Sequence, residues 1–164
     1  MPNLTYLPFD TPGKIYRSPM SFSRFDHGET TFAEYKAAGI DVVVMLTSDE
    51  EAIEHAGKNL RTEYQKAGIQ VLYLPIIDFD VPKDSQAFQH TVQAAVEHAQ
   101  EGRNLVVHCY AGLGRTGMFL GVMARRILGQ DGKQAVTFVR KYIEGAIQTD
   151  EQLDLVLGDT GKKI

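Results

Sequence analysis

The fold of this chain follows from one segment, Leu105-Val106-Val107-His108-Cys109-Tyr110-Ala111-Gly112-Leu113-Gly114-Arg115-Thr116-Gly117. Its apolar start predicts a buried strand over 105–108, and the apolar residues after it predict a buried helix over 115–128. The glycine-rich loop between them begins at the only cysteine of the chain and ends at an arginine. Backbone N–H groups at a helix N-terminus, closed by a guanidinium, form a ring that holds a phosphate-sized dianion. The segment therefore predicts an anion site beside a thiol.

Cys109 is the candidate nucleophile of this loop. A helix N-terminus and a neighbouring guanidinium both favour the thiolate, which is the attacking form of a cysteine. Gly112 and Gly114 allow the backbone to turn its N–H groups inward. Arg115 can grip two phosphate oxygens in a bidentate manner, which a lysine could not do. These residue types at this spacing indicate a thiol aimed at a bound phosphate.

Two residues flanking the loop have supporting roles. The Thr116 hydroxyl is expected to donate toward the sulfur, which would help the thiolate to leave in a second step. His108 is expected to hold the loop backbone rather than to touch the substrate. The backbone groups predicted to bind phosphate belong to Tyr110, Ala111, Gly112, Leu113, Gly114 and Arg115.

Other interpretations of this loop compete with a nucleophile site. A lone cysteine is more often a buried structural residue, but its spacing to Arg115 across two glycines argues against that interpretation. The run 112–117 has the form of the dinucleotide fingerprint G-x-G-x-x-G, which normally opens a strand–helix–strand unit. Here two predicted helices follow and no clear strand does. A Walker A loop is excluded because no Gly-Lys-Ser/Thr is present.

Strands alternate with helices through the middle of the chain, and helices alone complete it. Strands are predicted at 15–16, 41–46, 70–74 and 105–108. Helices are predicted at 29–38, 48–67 with a break near Gly57, 83–100, 115–128, 131–142 and 149–157. This order predicts an α/β fold: a central, mainly parallel twisted sheet of about four to five strands, flanked by helices on both faces as a three-layer sandwich. The length predicts a single domain over residues 1–164.

Composition limits the function classes. The formal net charge of −4 argues against a nucleic-acid partner, because such binding depends on basic surface. No apolar stretch approaches the ~20 residues of a membrane span, so no membrane partner is expected. One cysteine cannot form an internal disulfide, and residues 1–5 do not resemble a signal peptide; the predicted location is cytoplasmic. No metal and no organic cofactor is predicted, and the oligomeric state is left open.

The pattern His108-Cys109-x5-Arg115-Thr116 resembles the signature of the cysteine-dependent protein tyrosine and dual-specificity phosphatase superfamily. The loop wording Cys-Tyr-Ala-Gly-Leu-Gly-Arg is similar to that of its compact members, such as the kinase-associated phosphatases. The resemblance implies the three-layer phosphatase fold and a phosphocysteine intermediate on Cys109, with Arg115 as the phosphate-binding side chain.

The segment Pro75 to Pro82 contains the candidate general acids. The leaving oxygen needs a proton as the P–O bond breaks, and a carboxylic acid within reach contributes about 10²–10⁴ in rate. The segment resembles the general-acid loop of the family, which implies that Asp78 is the acid; Asp80 is the alternative. In the other interpretation both are solvated, with Asp80 or Asp84 capping the next helix.

The segment 146–152 looks like the loop that positions water in tyrosine-specific members of the superfamily. The resemblance implies that Gln148 orients the attacking water and that Gln152, one helical turn later, assists. Thr149 and Gln152 also have the spacing of a capping box, and the two interpretations are compatible. By contrast, Glu50, Glu51 and Glu54 are expected to form a solvated helical face.

The function that these features predict is hydrolysis of phosphotyrosine in a phosphorylated protein or peptide, with phosphoserine and phosphothreonine as further substrates. The glutamine pair favours phosphotyrosine. A phosphoinositide or other small phosphomonoester is the alternative, although residues 110–114 contain no Lys or Arg. A non-catalytic phosphopeptide-binding module would usually lose the nucleophile or the acid, and a sulfurtransferase has no need for Asp78 or the glutamines.

Overall fold

The computed structural model describes residues 2–158, in which five strands form one sheet with the order β1-β2-β5-β3-β4. The strands are β1 Thr5–Leu7, β2 Ile15–Ser18, β3 Val42–Met45, β4 Gln70–Tyr73 and β5 Leu105–His108. The helices are α1 Thr31–Ala37, α2 Asp49–Ala56, α3 Leu60–Lys66, α4 Ser85–Gln100, α5 Gly114–Leu128, α6 Gly132–Tyr142 and α7 Asp150–Gly158.

Strands β2 to β5 are parallel, and only β1 runs antiparallel, as a pair with β2. The α/β prediction with a mainly parallel sheet is confirmed. Strand β1 was not predicted from the sequence. Its three residues lie between Pro2 and Pro8, and such a short run contains too few alternations to carry a strand signal.

Each face of the sheet packs against its own layer of helices. One apolar core joins alternate residues of β2, β3 and β5 to α4, α5, α6 and α7. The second core joins the intervening strand residues, such as Val43 and Val106, to α1, α2 and α3. Because side chains of a strand alternate between faces, the continuous apolar runs of the parallel strands supply both cores. The structure is therefore the predicted three-layer sandwich.

Helix α5 is the most deeply buried helix in residues 2–158, with no exposed position from Gly114 to Ala124. Its glycines allow close approach of the chain that follows: a Cβ at Gly121 would lie 2.9 Å from Val156 Cγ1. Helices α6 and α7 follow α5, and no strand comes after it in the described part of the chain. The strand–helix–strand unit required by a dinucleotide fingerprint is therefore absent.

The parallel register places the functional loops at one edge of the sheet. His108, the last residue of β5, lies opposite Met45 at the end of β3, and Met45 lies opposite Tyr73 at the end of β4. The loops after these strands leave from the same edge, where open parallel sheets hold their sites. None of the helices in residues 2–158 is long and apolar enough to span a bilayer.

Candidate active site

The loop from Cys109 to Arg115 presents a row of unsatisfied backbone donors. Among residues 2–158, no amide N–H from 110 to 115 donates a hydrogen bond to another protein group. The carbonyls of residues 110–112 face the surrounding protein instead. The first accepts from the Met20 amide at 2.9 Å, and the other two accept from the Arg17 guanidinium at 2.8 and 3.0 Å. Such a run of free amides at a helix N-terminus is an anion-binding arrangement.

Cys109 lies at the start of this loop and is only 2% exposed. Burial to this degree would also suit a structural cysteine, so it does not decide between the two interpretations. The difference lies in the surroundings, because a structural cysteine needs neither the row of free amides nor a guanidinium at the end of the loop. Described residues contain no cluster of three or more His, Cys, Asp or Glu arranged to hold a metal ion.

Arg115 is fully buried and shares its guanidinium among three groups. It forms a bidentate pair with Glu51, from Nη1 to Oε1 at 2.9 Å and from Nη2 to Oε2 at 2.8 Å. Nη1 also donates to the Ile76 carbonyl at 2.8 Å, and Nη2 lies 3.0 Å from Asp78 Oδ1. Nε is buried and has no partner among the described residues. Burial lowers the pKa of Arg115, but the hydrogen bond to Glu51 and the charges of Cys109, Glu51 and Asp78 together outweigh burial and leave the pKa raised.

The expectation that Glu51 belongs to a solvated face is wrong. Glu51 lies on the side of helix α2 that faces the loop from Cys109 to Arg115, and its side chain is only 17% exposed. One turn later, His55 stacks on Tyr110 with 3.9 Å between the ring centroids. Glu50 and Glu54, on other sides of α2, are exposed as expected. The physical reason is the buried guanidinium, which requires a carboxylate partner.

The segment from Pro75 to Pro82 brings Asp78, not Asp80, to Arg115. The Asp80 amide donates to the Ile77 carbonyl at 3.0 Å and closes a turn with Asp78 at its tip. Each carboxylate accepts from the next backbone amide, Asp78 from Phe79 at 3.0 Å and Asp80 from Val81 at 2.8 Å, but of the two it is Asp78 that lies beside Arg115. Asp84 caps α4, where its carboxylate accepts from the amide three residues later. The proximity predicted for Asp78 and the cysteine loop is thus present, through Arg115.

His108 is buried and bonded to the loop backbone, as predicted. Nδ1 lies 2.9 Å from the Cys109 carbonyl oxygen and Nε2 lies 2.9 Å from the Tyr64 hydroxyl. A carbonyl only accepts, so Nδ1 carries the proton and Nε2 accepts from Tyr64. Burial lowers the pKa of His108 to about 4, and burial raises the pKa of Tyr64. Both side chains are therefore neutral near pH 7.

Thr116 does not make the contact expected from the sequence. Its hydroxyl is buried and forms no hydrogen bond with any described residue, the Cys109 sulfur included. A role of Thr116 toward the sulfur stays a prediction for the substrate-bound or phosphorylated site.

The two glutamines lie against the start of α5. A Cβ at Gly114 would be 2.6 Å from Gln148 Oε1 and 3.0 Å from Gln152 Oε1, so only a glycine leaves room for both amides. The side-chain oxygen of Gln152 accepts from the backbone N–H groups of Gln148 and Thr149. The backbone N–H of Gln152 donates to the Thr149 hydroxyl at 3.1 Å. The predicted capping box is confirmed. Nε2 of Gln152 also donates to the Asp80 backbone carbonyl at 3.1 Å, a contact that was not predicted from the sequence.

Three residues that contact the site were missed in the sequence: Arg17, Glu51 and Tyr64. Arg17 offered one weak signal, because it directly follows the strand predicted at 15–16 and lies two residues after the apolar Ile15. Glu51 and Tyr64 offered none, since each meets its partner across more than forty residues of intervening chain.

With the site geometry in place, the family can be assigned. The family model described as "Polymorphic toxin system, DSP-PTPase phosphatase" matches residues 21–128, which hold Cys109, Arg115, Glu51 and Asp78. The chain belongs to this DSP-PTPase phosphatase family. The family belongs to the dual-specificity and tyrosine phosphatase superfamily, so the superfamily predicted from the sequence is confirmed. Arg17, Gln148 and Gln152 lie outside the matched range.

Two curated proteins illustrate the sequence similarity of this DSP-PTPase chain. Uncharacterized protein MJECL20 of Methanocaldococcus jannaschii is 34% identical over 98 residues, which are 58% of this chain and 63% of that protein. Tyrosine-protein phosphatase non-receptor type 61F of Drosophila melanogaster is 34% identical over 104 residues, 58% of this chain and 19% of that protein. The chain therefore matches less than two thirds of the length of either relative.

Solved structures agree with the DSP-PTPase fold. Kinase-associated phosphatase, with its catalytic-site cysteine replaced by serine, superimposes with a TM-score of 0.84 at 21% identity, covering 95% of this chain and 93% of that one. The active form of Tk-PTP superimposes with a TM-score of 0.76 at 28% identity, covering 98% of both chains. The phosphatase-type sandwich predicted from the sequence is confirmed.

Proposed function

We propose that this phosphatase hydrolyses phosphomonoesters through a phosphocysteine on Cys109. The main support for the proposal is the row of backbone N–H groups from 110 to 115, which donate to no other described protein group. This row directly follows the Cys109 thiol and ends at Arg115. Donors fixed in advance around a transferring phosphoryl group stabilise the charge of its equatorial oxygens. The unpartnered Nε of Arg115 adds a further donor to that set.

In the first step the Cys109 thiolate attacks phosphorus, an S–P bond forms and the bond to the leaving oxygen breaks. Asp78 gives its proton to that oxygen, so the alcohol or phenol leaves neutral. The contact of Asp78 with Nη2 of Arg115 at 3.0 Å supports this role, because it places the carboxyl beside a group that binds the phosphate. Asp78 is 38% exposed, which lets it reach a substrate arriving from solvent.

In the second step water attacks phosphorus, the S–P bond breaks and the thiolate is restored. The Asp78 carboxylate takes the proton of the water, and inorganic phosphate leaves. Gln148 is the residue that would orient this water, since its Oε1 lies over Gly114 at the start of α5. Gln152 holds the Gln148 amide at 3.0 Å and so sets the position of that segment.

Phosphotyrosine in a protein or peptide is the substrate that we propose, with phosphoserine and phosphothreonine as further candidates. The glutamine pair and the absence of Lys and Arg from residues 110–114 support a protein substrate over a phosphoinositide. Half-buried aromatic groups beside the loop, Tyr110 and Phe25, meet edge to face at 4.8 Å and offer a surface for a phenyl ring.

Replacement of the nucleophile tests the mechanism. Cys109→Ser is expected to abolish hydrolysis of p-nitrophenyl phosphate while keeping the fold and phosphate binding. Mass spectrometry after rapid acid quench is expected to find phosphate on Cys109 of the native protein during turnover. Undiminished activity of Cys109→Ser would overturn the mechanism. A panel of phosphotyrosyl, phosphoseryl and phosphothreonyl peptides with phosphoinositides then decides the substrate class.

Asp78→Asn, with Asp80→Asn as the matched control, tests the acid. Loss of the proton donor is expected to lower kcat/KM for phenyl phosphate by about 10²–10⁴ and to have a smaller effect on p-nitrophenyl phosphate, whose leaving group needs no proton. Asp80→Asn should leave both values near those of the native protein. The reverse pattern would assign the acid to Asp80.

A further inference from the structure

Arg17 is a second arginine at the phosphate loop, outside the signature and outside the family match. It lies on β2, whose register pairs it with Val107 of β5. The neighbouring residues of that face, Ile15 and Val107, share one core with Cys109, so Arg17 extends on the same side of the sheet as the sulfur. The half-buried side chain reaches the loop directly, with Nε 3.0 Å from the Gly112 carbonyl and Nη2 2.8 Å from the Ala111 carbonyl.

These two bonds set the direction of two peptide units. In a trans peptide the C=O of one residue and the N–H of the next point in opposite directions. Carbonyls 111 and 112 are drawn toward Arg17, so the N–H groups of Gly112 and Leu113 point away from it. Both N–H groups belong to the row that has no protein acceptor among residues 2–158. The guanidinium therefore orients two of the donors that would receive the phosphate.

The contact between Arg17 and the loop is tight. Gly112 has φ +80°, and a Cβ there would lie 2.4 Å from Nη2 of Arg17 and from the Ser18 carbonyl oxygen. The third donor, Nη1, bonds to the Asn3 carbonyl at 3.3 Å. Burial lowers the pKa of Arg17, and the attraction to the Cys109 sulfur acts in the opposite direction. Arginine remains protonated in such surroundings, so a positive charge is held beside the thiol.

We propose that Arg17 is a positioning residue of the phosphate site, which orients the Gly112 and Leu113 amides toward the anion and keeps a second positive charge near Cys109. This inference rests on the proposed function, since it assumes that the loop binds phosphate. It adds a residue on the neighbouring strand β2 to a phosphate loop that follows β5.

Binding of inorganic phosphate tests the orientation of the amides. Arg17→Met removes both the charge and the two bonds, and is expected to weaken phosphate binding about tenfold by isothermal calorimetry. Arg17→Lys keeps the charge but cannot hold both carbonyls in the same way, and an intermediate loss is expected. Arg103→Met is the matched control. Arg103 is exposed, and among residues 2–158 its side chain bonds to Gln70 and His98 alone, so the variant should bind phosphate as the native protein does.

The reactivity of the single thiol tests the charge. At neutral pH, the rate of alkylation by iodoacetamide, a neutral reagent, follows the fraction of the thiol that is ionised. Arg17→Met is expected to be alkylated several-fold more slowly than the native protein, because a positive charge that favours the thiolate is lost. Arg17→Lys should keep the native rate, because its charge remains. A purely structural role would not separate these two variants, so the separation identifies positioning.

Native phosphate affinity and a native alkylation rate in a folded Arg17→Met would overturn the inference. If circular dichroism shows that Arg17→Met is unfolded, Arg17→Lys decides, and native phosphate affinity in that variant has the same meaning. A native protein that neither binds phosphate nor hydrolyses phosphomonoesters would overturn the proposed function as well. Activity in the native protein with unaffected Arg17 variants would overturn the inference alone.

Discussion

Arg115 is the residue on which the site converges. Its guanidinium is buried, and a buried charge is tolerated only where partners and hydrogen bonds compensate for the lost water. Glu51 supplies two bonds, Ile76 supplies a backbone acceptor, and Asp78 approaches from the segment between Pro75 and Pro82. The Arg115 side chain is therefore held in place by groups of the protein itself.

Glu51→Gln tests this arrangement. Loss of the carboxylate leaves the buried guanidinium less well compensated, so we expect the free energy of unfolding to fall by about 2 kcal/mol and kcat/KM to fall with it. Urea denaturation and steady-state kinetics measure the two effects. Glu50→Gln, at an exposed position of the same helix, should change neither value; equal behaviour of the two variants would contradict the role of Glu51.

His108 predicts a pH dependence of stability. Burial lowers its pKa to about 4 from the usual 6.5, so between these values the unfolded chain binds more protons than the folded one. Stability from this group is fully present above about pH 6.5 and is lost as pH falls toward about 4, by up to about 1.4 kcal/mol per pH unit. Denaturant unfolding at about pH 7 and about pH 5 measures the slope. His108→Asn should reduce that slope, and an unchanged slope would count against the assignment.

The turn over residues 77–80, which contains Asp78, is connected by hydrogen bonds to helices α5 and α7. Arg115 bonds to the Ile76 carbonyl before the turn, and Gln152 bonds to the Asp80 carbonyl at its end. Asp78 therefore projects from a turn that is fixed on both sides by residues of α5 and α7. Phe79, next to the acid, has φ +64°, a left-handed conformation that non-glycine residues seldom adopt. The hydrogen bonds on both sides of the turn hold Phe79 in this conformation.

Gln152→Glu separates two roles of that glutamine. The variant keeps an acceptor for the Gln148 and Thr149 amides but loses the donor to the Asp80 carbonyl. If this donor positions the turn over residues 77–80, kcat/KM should fall about tenfold for phenyl phosphate and change little for p-nitrophenyl phosphate. An equal loss in kcat for both substrates, with kcat/KM unchanged, would instead show that Gln152 acts only on the attacking water.

Local sequence pattern was sufficient for most elements and for the centre of the site. An apolar run predicts strand β5, and Gly57 predicts the break between helices α2 and α3. The structure has all three elements at those places. The pairing of Glu51 with Arg115 spans 64 residues, and that of Arg17 with Gly112 spans 95. Such contacts depend on which strands become neighbours, and a single sequence without the strand order does not contain that information.

For the whole molecule, the sheet acts as a rigid platform between two apolar cores. Strands β3 and β5 contribute buried residues to both cores, and β4 packs against them, so the loops after these strands start from fixed positions. The candidate nucleophile, acid and arginine partner are thereby held together although they come from separate parts of the chain. A ligand that binds only this assembled edge should stabilise the entire fold.

Thermal unfolding with inorganic phosphate measures this coupling. At a phosphate concentration about a hundred times Kd, linkage gives about 2.7 kcal/mol, or roughly 5–10 °C in Tm. Potassium chloride at matched ionic strength is the control and should have a much smaller effect. Cys109→Ser should keep the increase, because the amides and Arg115 remain. An equal response to chloride and phosphate would argue against a specific anion site.

The sharing of Arg115 with Asp78 has an optical consequence. An anion bound in the loop would compete with Asp78 for Nη2, so we expect its binding to alter the surroundings of the neighbouring Phe79, which is 59% exposed. The chain contains no tryptophan, and an indole introduced by Phe79→Trp would be the sole fluorophore excited at long ultraviolet wavelengths. Its emission would then report, in real time and without a chromogenic substrate, each arrival and departure of phosphate.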